Sequence, residues 1–439
     1  MVSPEQSQPQ RLRRRLPLEI FGLIGAQLLP DEPFSTSTST VDFVDHTEWD
    51  RSMATLRNLS YTCYDIHHEL KPLFYQFIYL RNGHDIIALL VQLLQRPRFR
   101  KHVRHIYCDT VSSWLDKREG KPLWEQHYGK GMGLQARLAE AEFMWSPGDC
   151  SLAAEAEKVV LGTGMAYDMD DVLHLAFGGI LLLTKNLESL SLHREITRNG
   201  FMADVKDVLA GAEHPQNVLP NLKVIKLAEE HVDESRTDSL PCFLSFLSCY
   251  GRGQKLILSG VNENLQFLLR AFAIDHHQTL PQIEELILRP WNTPAELKGR
   301  TISLDPESRP LEYLPTLFNQ LRVLDVEFSQ EPFQGHDIWG PLQRLSGTLE
   351  VLRLKRQQFP LDLLRGKGMK KLREVILEEC STFCERPEAW EVEGILADCT
   401  NGFYMNFEHL ALERVEINGS RFEVIHGEER GPPRLRQQT

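Results

Sequence analysis

The sequence predicts an α/β fold in which a small helical module precedes an irregular solenoid of repeated strands. Three observations support this prediction. A short leucine phrase recurs between residues 187 and 417, helix-like stretches separate its copies, and an apolar helical zone over residues 16–80 precedes them. The chain has 439 residues, which is too long for one small core and fits a solenoid with an attached module.

The recurring phrase consists of leucine, two residues, leucine, one residue and leucine, with other aliphatic residues at some positions. One such strand cannot bury its apolar side alone, whereas stacked copies bury a continuous core. The uneven spacing of the copies indicates units with a helix and loops of variable length. Residues 81–425 are therefore predicted to form an irregular leucine-rich-repeat solenoid. The copies begin at Leu187, Leu222, Ile283, Leu321, Leu349, Leu372 and Leu412, with further candidate strands at Gly253–Leu258 and Val103–Cys108.

The composition limits the class of partner. The net charge of −12 argues against nucleic acid as the main partner, since phosphate binding requires a basic surface. The eight cysteines are spread too thinly for a disulfide-stapled secreted domain, which favours a reducing compartment. No apolar run reaches the length of a membrane helix, so no membrane partner is expected. We expect a cytoplasmic or nuclear protein.

The rest of the chain divides by composition and periodicity. Residues 1–15 are rich in Gln, Ser, Pro and Arg and are predicted to be disordered, and residues 426–439 are predicted to be a flexible tail. Residues 16–29 are predicted to form a helix, because their apolar residues fall on one helical face. A flexible inserted loop is expected over residues 30–50, and a second helical zone follows over residues 53–80.

The helical zone over residues 16–80 resembles an F-box. It opens with Leu16-Pro17-Leu18-Glu19-Ile20, continues with the pair Leu56 and Leu59 before Cys63, and closes with the aromatic-rich stretch Leu70–Leu80. It is most similar to the F-box proteins common in filamentous fungi, in which leucine-rich repeats follow. The segment Arg96–Ile106 is similar to the same group.

The resemblance implies a three-helix module that docks the Skp adaptor of a Skp–cullin–F-box ubiquitin ligase, while the repeats bind the substrate protein. Such a chain is a non-catalytic adaptor that needs no cofactor. The alternative is a non-catalytic repeat scaffold without ligase docking, in which the same residues cap the solenoid; the long insertion at residues 30–50 favours it. The residues expected to contact the adaptor are Leu16, Pro17, Ile20, Ile24, Leu56 and Leu59.

The substrate surface is expected on the outward side of the repeated strands. Side chains of a strand alternate between its two faces, so residues between the core leucines should point outward. The predicted surface carries charges of both signs, and this pattern does not identify a substrate. The outward residues assigned to it are Ser191, Lys226, Ile287, Asp325, Arg353, Ile376 and Glu416.

Motifs for chemistry are weak in this sequence. Cys380 and Cys384 lie four residues apart, without the paired spacing of a zinc site. Asp168–Asp171 is better explained as the start of a helix than as a cation site. The glycines of Gly129–Gly133 lack the Lys-Ser/Thr ending of a phosphate loop. We therefore predict no metal site and no catalytic residue.

Overall fold

The structure is a computed structural model of the chain, which divides into two compact units, Met1–Phe77 and Ile78–Thr439. Each unit is described by itself. The described residues are 17–29, 46–80, 83–108, 169–193, 205, 209, 218–228, 246–247, 255–261, 280, 282–290, 313–327, 342, 344–345, 347–356, 358–360, 371–383, 412–425 and 434–437.

The first unit is helical. It contains α1 (Leu18–Gln27), α2 (His46–Ser60), α3 (Tyr64–Leu70) and a 3-10 helix (Lys71–Tyr75). Cys63 caps α3, because its Sγ accepts a hydrogen bond from the Ile66 N–H at 3.5 Å. The predicted loop over residues 30–50 is wrong in its last part, since α2 already begins at His46.

The core of the first unit is small and closely packed. Phe21, Leu29, Leu59, Leu73 and Phe74 pack around four buried residues, Met53, Leu56, Ile66 and Leu70. Gly25 of α1 faces this core. A Cβ atom at Gly25 would lie 2.8 Å from Leu73 Cδ1 and 3.3 Å from Leu56 Cδ1. The absence of a side chain at this position lets α1 lie directly on the core.

The second unit is built on one long sheet. Twelve of the fourteen strands among the described residues form this sheet in the order β1-β2-β3-β4-β5-β6-β7-β8-β10-β12-β13-β14, and β9 and β11 form a separate parallel pair. The strands are β1 (Phe77–Leu80), β2 (His105–Cys108), β3 (Ser189–His193), β4 (Val224–Ala228), β5 (Lys255–Val261), β6 (Glu285–Pro290), β7 (Val323–Glu327), β8 (Val351–Lys355), β9 (Gln358–Pro360), β10 (Glu374–Glu378), β11 (Ser381–Phe383), β12 (Arg414–Ile417), β13 (Ser420–Ile425) and β14 (Arg434–Gln437).

From β2 to β12 the neighbouring strands of the long sheet run parallel and in register, apart from a shift between Ser259 and Val261 at the end of β5. The second apolar residue of each phrase therefore lies beside its counterpart in the next copy. Every member of this row is buried: Ile106, Leu190, Ile225, Leu256, Leu286, Leu324, Leu352, Val375 and Val415. The predicted α/β class is confirmed, and the stacked parallel strands are consistent with a leucine-rich-repeat-like solenoid.

Four helices of the second unit are fully bounded among the described residues. They are α4 (Gly83–Gln95), a 3-10 helix (Pro97–His102), α5 (Met169–Leu183) and α6 (Leu314–Leu317). Residues 86–94, whose apolar side chains recur at helical spacing, lie within α4, which ends just before Pro97. Helices α4 and α5 pack together, and a Cβ atom at Gly179 would lie 3.4 Å from Leu90 Cδ1. Helix-like stretches of the sequence at residues 134–145, 152–161, 264–273 and 389–399 lie outside the described residues.

The carboxyl end of the sheet is an antiparallel hairpin. Strands β12, β13 and β14 pair antiparallel in succession. Asn418 and Gly419 form the turn between β12 and β13, with φ angles of 48° and 84°. An Asn-Gly pair suits such a two-residue turn, because both positions need a positive φ. The prediction of a flexible tail over residues 426–439 is therefore wrong for residues 434–437, which form β14.

Left-handed residues follow three successive parallel strands. Arg356, Glu379 and Asn418 have φ angles of 60°, 51° and 48° and come directly after β8, β10 and β12. The Asn418 side chain pairs with Cys380 as a strand would, accepting from its N–H at 3.0 Å and donating to its C=O at 3.0 Å. This amide therefore joins the last parallel strand to the preceding copy.

Replacing Asn418 tests this turn. We expect Asn418→Ala to lower the free energy of unfolding by about 2–4 kcal/mol, because it removes two hydrogen bonds and places a Cβ-bearing residue without a polar side chain at positive φ. Asn418→Gly keeps the backbone conformation and should cost only about 1–2 kcal/mol. Hydrogen exchange of β13 and β14 measures the loss. Equal exchange in the wild type and both variants would contradict this account.

Candidate functional site

The first candidate surface lies on the helical unit. Four large apolar side chains of α1 are exposed, from 37% for Ile20 to 65% for Leu23, with Leu18 and Ile24 between them. Tyr61 and Tyr64, at the junction of α2 and α3, are more than three-quarters exposed. A small helical unit that leaves these side chains outside its core presents an apolar surface typical of protein docking.

The predicted adaptor-contacting residues divide into three groups. Ile20 and Ile24 are exposed on α1, and Pro17 is exposed at the N-cap of the same helix. Leu16 lies outside the described residues. The assignment of Leu56 is wrong, because its side chain is completely buried beneath Gly25, and Leu59 packs partly against the same core.

Sequence reasoning missed several exposed apolar residues of this unit. Leu23 lies three residues after Ile20 and one before Ile24, so helical periodicity alone could have added it to the α1 face. Tyr61 and Tyr64 flank the Cys63 cap, and no periodic signal marks them. Their exposure follows from the turn between α2 and α3, which only the packed unit defines.

The second candidate surface is the outward face of the long sheet, and much of it is closed to solvent. Ser191, Lys226, Ile287 and Asp325 are buried, so their assignment to an exposed substrate surface is wrong. Parallel strands in register place equivalent side chains side by side, about 4.8 Å apart, where neighbours cover one another. The remaining predicted residues are half-buried: Arg353, Ile376 and Glu416.

An ion-pair network covers this face between β6 and β10. Arg289 donates two hydrogen bonds to the Asp325 carboxylate, at 2.6 and 2.9 Å. Glu327, whose side chain is 5% exposed, lies 3.4 Å from Lys355 Nζ and 3.3 Å from Arg356 Nη1. Burial alone would lower the pKa of Arg289, but the hydrogen bond and charge of Asp325 outweigh it and raise that pKa. Glu379 lies 2.8 Å from Arg356 Nε and completes three cations with three carboxylates. The network therefore stabilises the sheet and offers no net charge to a ligand.

A row of alternating charges runs along the amino ends of the strands. It consists of the residue after the first apolar position in each phrase, and its sign changes from one copy to the next, except that Gln254 stands between Lys223 and Glu284. Arg322 contacts both of its neighbours, with Glu350 at 2.9 Å and Glu284 at 3.3 Å. The row is Arg104, Glu188, Lys223, Glu284, Arg322, Glu350, Arg373 and Glu413.

Side-chain amides join consecutive turns just before the phrases. Asn186 donates to the Lys101 carbonyl at 2.9 Å, and Asn221 donates to the Lys185 carbonyl at 3.1 Å. Gln282 makes the same kind of bond to the Leu247 carbonyl at 3.0 Å. These contacts explain why an amide residue stands before several copies of the phrase.

Charge reversal within the alternating row tests its contribution. Arg322→Glu should lower the thermal midpoint by a few degrees at most, because it places three carboxylates in succession and exposed pairs contribute modestly. The same reversal should lower the thermal midpoint less in a Glu284→Gln/Glu350→Gln background, because the repulsion between carboxylates is absent there. Differential scanning calorimetry measures both. An equal fall in the thermal midpoint in the two backgrounds would show that the charge at position 322 does not interact with its neighbours in the row.

The stability of the sheet should depend on pH below the usual range of carboxyl groups. Hydrogen bonds from Arg322 and Arg356 lower the pKa values of Glu350 and Glu379 below the ordinary 4.5. A pKa lowered in the folded state contributes stability above pH 4.5 that is lost as the pH falls through the lowered value. The free energy of unfolding, measured with urea, should therefore fall less between about pH 5 and about pH 3 in Arg322→Gln/Arg356→Gln than in Arg344→Gln. Equal changes would contradict this assignment.

Comparison with known proteins adds no identification. No protein-family model matches the chain, and no curated protein shows significant similarity to it. Among the described residues, no group of three His, Cys, Asp or Glu side chains is placed to hold a metal ion. Within the same part of the chain, no helix has the length and apolar character needed to cross a membrane.

Proposed function

We propose that this chain is a substrate-recognition adaptor of a Skp–cullin–F-box ubiquitin ligase. The observation that carries the proposal is the exposed apolar face of α1, which stands in the segment that resembles an F-box. The helical unit docks the Skp adaptor and the repeat unit holds the substrate protein. The chain performs no catalysis itself and needs no cofactor, because its contribution is local concentration and orientation.

The α1 face suits a helix-in-groove contact. Leu18, Ile20, Leu23 and Ile24 are exposed at helical spacing, which supplies the anchors that such a contact uses. The helix is held firmly, because Gly25 lets its backbone lie on the core leucines. A pre-organised face loses little conformational entropy when a partner binds.

The burial of Leu56 and the packing of Leu59 change the docking set. Both residues support the face from within the unit rather than contacting the partner. The proposed contacts are therefore Pro17, Ile20 and Ile24 from the sequence-based set, with Leu18 and Leu23 added. Leu16 keeps only the role implied by the resemblance.

The proposed substrate surface is restricted to the later strands of the sheet. Arg353, Ile376 and Glu416 occupy neighbouring positions on β8, β10 and β12 and retain exposure. Their mixture of two charges around an aliphatic side chain suits a polar protein segment with one apolar anchor. The buried positions on β3 to β7 take no part.

Co-purification of the full chain with the Skp adaptor tests the proposal. The double variant Ile20→Asp/Ile24→Asp should lose at least about tenfold in affinity, because it places two charges in the apolar contact. Arg51→Asp makes the same change in net charge at an exposed site on α2 and should bind like the wild type.

One outcome would contradict ligase docking, and a second would contradict its placement on α1. One is a folded wild-type chain that does not bind the adaptor, which would leave the non-catalytic repeat scaffold as the leading account. The other is undiminished binding by Ile20→Asp/Ile24→Asp, which would place the contact away from α1. Circular dichroism of each variant confirms that its helices are intact.

A further inference from the structure

A basic segment lies at the start of the second unit. Arg96, Arg98 and Lys101 are exposed in and beside the 3-10 helix Pro97–His102, and Arg104 follows before β2. The exposed Lys185 stands in the next turn of the solenoid, which the Asn186 amide ties to the Lys101 carbonyl at 2.9 Å. We name these five cations, Arg96, Arg98, Lys101, Arg104 and Lys185, the basic patch.

The backbone beneath the basic patch is fixed. Phe99 is buried, and the Arg100 Nε donates to the Leu93 carbonyl of α4 at 2.9 Å. The Arg98 guanidinium lies 4.9 Å from the centre of the Phe99 ring. Residues three apart on a 3-10 helix point the same way, so Arg98 and Lys101 project together from this anchored turn.

Four of the five cations of the basic patch have no carboxylate partner among the described residues, unlike the cations of the later strands. Among the described residues, no salt bridge joins Arg96, Arg98, Lys101 or Lys185 to a carboxylate. Arg104 lies 3.1 Å from Glu188, but Lys223 shares that carboxylate at 3.3 Å. The local excess of positive charge is felt by His102, whose pKa is lowered by burial and by the charges of Lys101 and Arg104.

We propose that the basic patch binds an acidic peptide segment, rich in Asp and Glu, on a partner protein. The 3-10 helix rises about 2 Å per residue and extends for about 12 Å, which matches about four residues of an extended peptide. Its cations can then meet successive carboxylates along that peptide. Arginine and lysine side chains suit this contact because their donors match carboxylate oxygens.

Other anionic ligands fit the basic patch less well. A single phosphate needs cations gathered around one point, whereas the cations of the patch follow one another along the 3-10 helix and its flanks. The net charge of −12 opposes a long polyanion such as nucleic acid, and the nearby rings of Phe99 and Tyr107 are buried and cannot stack on bases. The large exposed apolar residues among those described all lie between Leu18 and Tyr64, so the patch has no apolar wedge for a membrane.

This inference is independent of ligase docking. The basic patch belongs to the second unit, whereas the α1 face belongs to the first. Variants of one surface therefore leave the residues of the other unchanged. An acidic peptide could bind whether or not the chain docks the Skp adaptor.

Fluorescence anisotropy with the full chain tests the basic patch. The probe is a labelled peptide of eight glutamates, titrated at low and at physiological salt. We expect saturable binding that weakens with salt, and Arg98→Glu/Lys101→Glu should reduce its affinity at least tenfold. Arg344→Glu/Lys371→Glu makes the same change in net charge at exposed positions and should reduce it less than twofold.

Competition separates the classes of anion. Inorganic phosphate, a phosphoserine peptide without acidic residues, duplex DNA and vesicles containing phosphatidylserine should each compete less well than the glutamate peptide. Equal affinity for the two double variants, or stronger patch-dependent binding of any competitor, would overturn the proposal. Arg98→Gln/Lys101→Gln should give an intermediate loss and serves as the second variant if the charge reversal fails to fold.

Discussion

In-register stacking of parallel strands is the constraint on which the second unit depends. Each phrase contributes a few aliphatic side chains, which are buried only when the neighbouring copy lies beside them. Burying one such side chain contributes about 2 kcal/mol, so the rows along β2 to β12 contribute a large favourable free energy to this unit. A shift of one residue in any strand would turn its apolar side chains to the other face. The other ladders of contacts all follow from this register.

The polar ladders act within that register. Side-chain amides such as Asn221 satisfy carbonyls in the preceding turn, and the alternating charges place Arg322 between the Glu284 and Glu350 carboxylates. Each exposed ion pair contributes little to stability. A charge that alternates in sign along the stack nevertheless disfavours the stacking of two strands that carry the same charge at this position. Near β6 to β10 the charged residues are covered as well, and the bidentate contact between Arg289 and Asp325 satisfies both partners.

Strand positions could be predicted from the sequence because each phrase carries its own periodic signal. Even the degenerate copy at residues 253–258 contributes its described residues, 255–258, to β5, which pairs with a neighbour on each side. Exposure on the outward face could not be predicted. Alternation assigns Ser191 and Asp325 to that face, but their burial depends on side chains of neighbouring strands that are distant in sequence. The β14 strand was not predicted, because its pairing depends on β13 and on the Asn418-Gly419 turn that begins the hairpin.

The candidate docking surface shows the same division between local and tertiary information. Helical periodicity places Ile20 and Ile24 on one side of α1, and the structure exposes both. The periodic pair Leu56 and Leu59 looks equivalent in sequence, yet α1 covers Leu56 because Gly25 permits a close approach. The surface proposed for the adaptor therefore loses the two leucines of α2 and gains exposed residues of α1, compared with the surface that the leucine pattern predicts. Its position on a single short helix makes it accessible to a local measurement.

Hydrogen–deuterium exchange of the full chain, alone and with the Skp adaptor, tests the central claim most directly. The account predicts that the adaptor slows exchange in peptides covering α1, residues 18–27, and leaves peptides covering β8, β10 and β12 unchanged. Slower exchange confined to the sheet, with α1 unaffected under conditions where the complex forms, would contradict it.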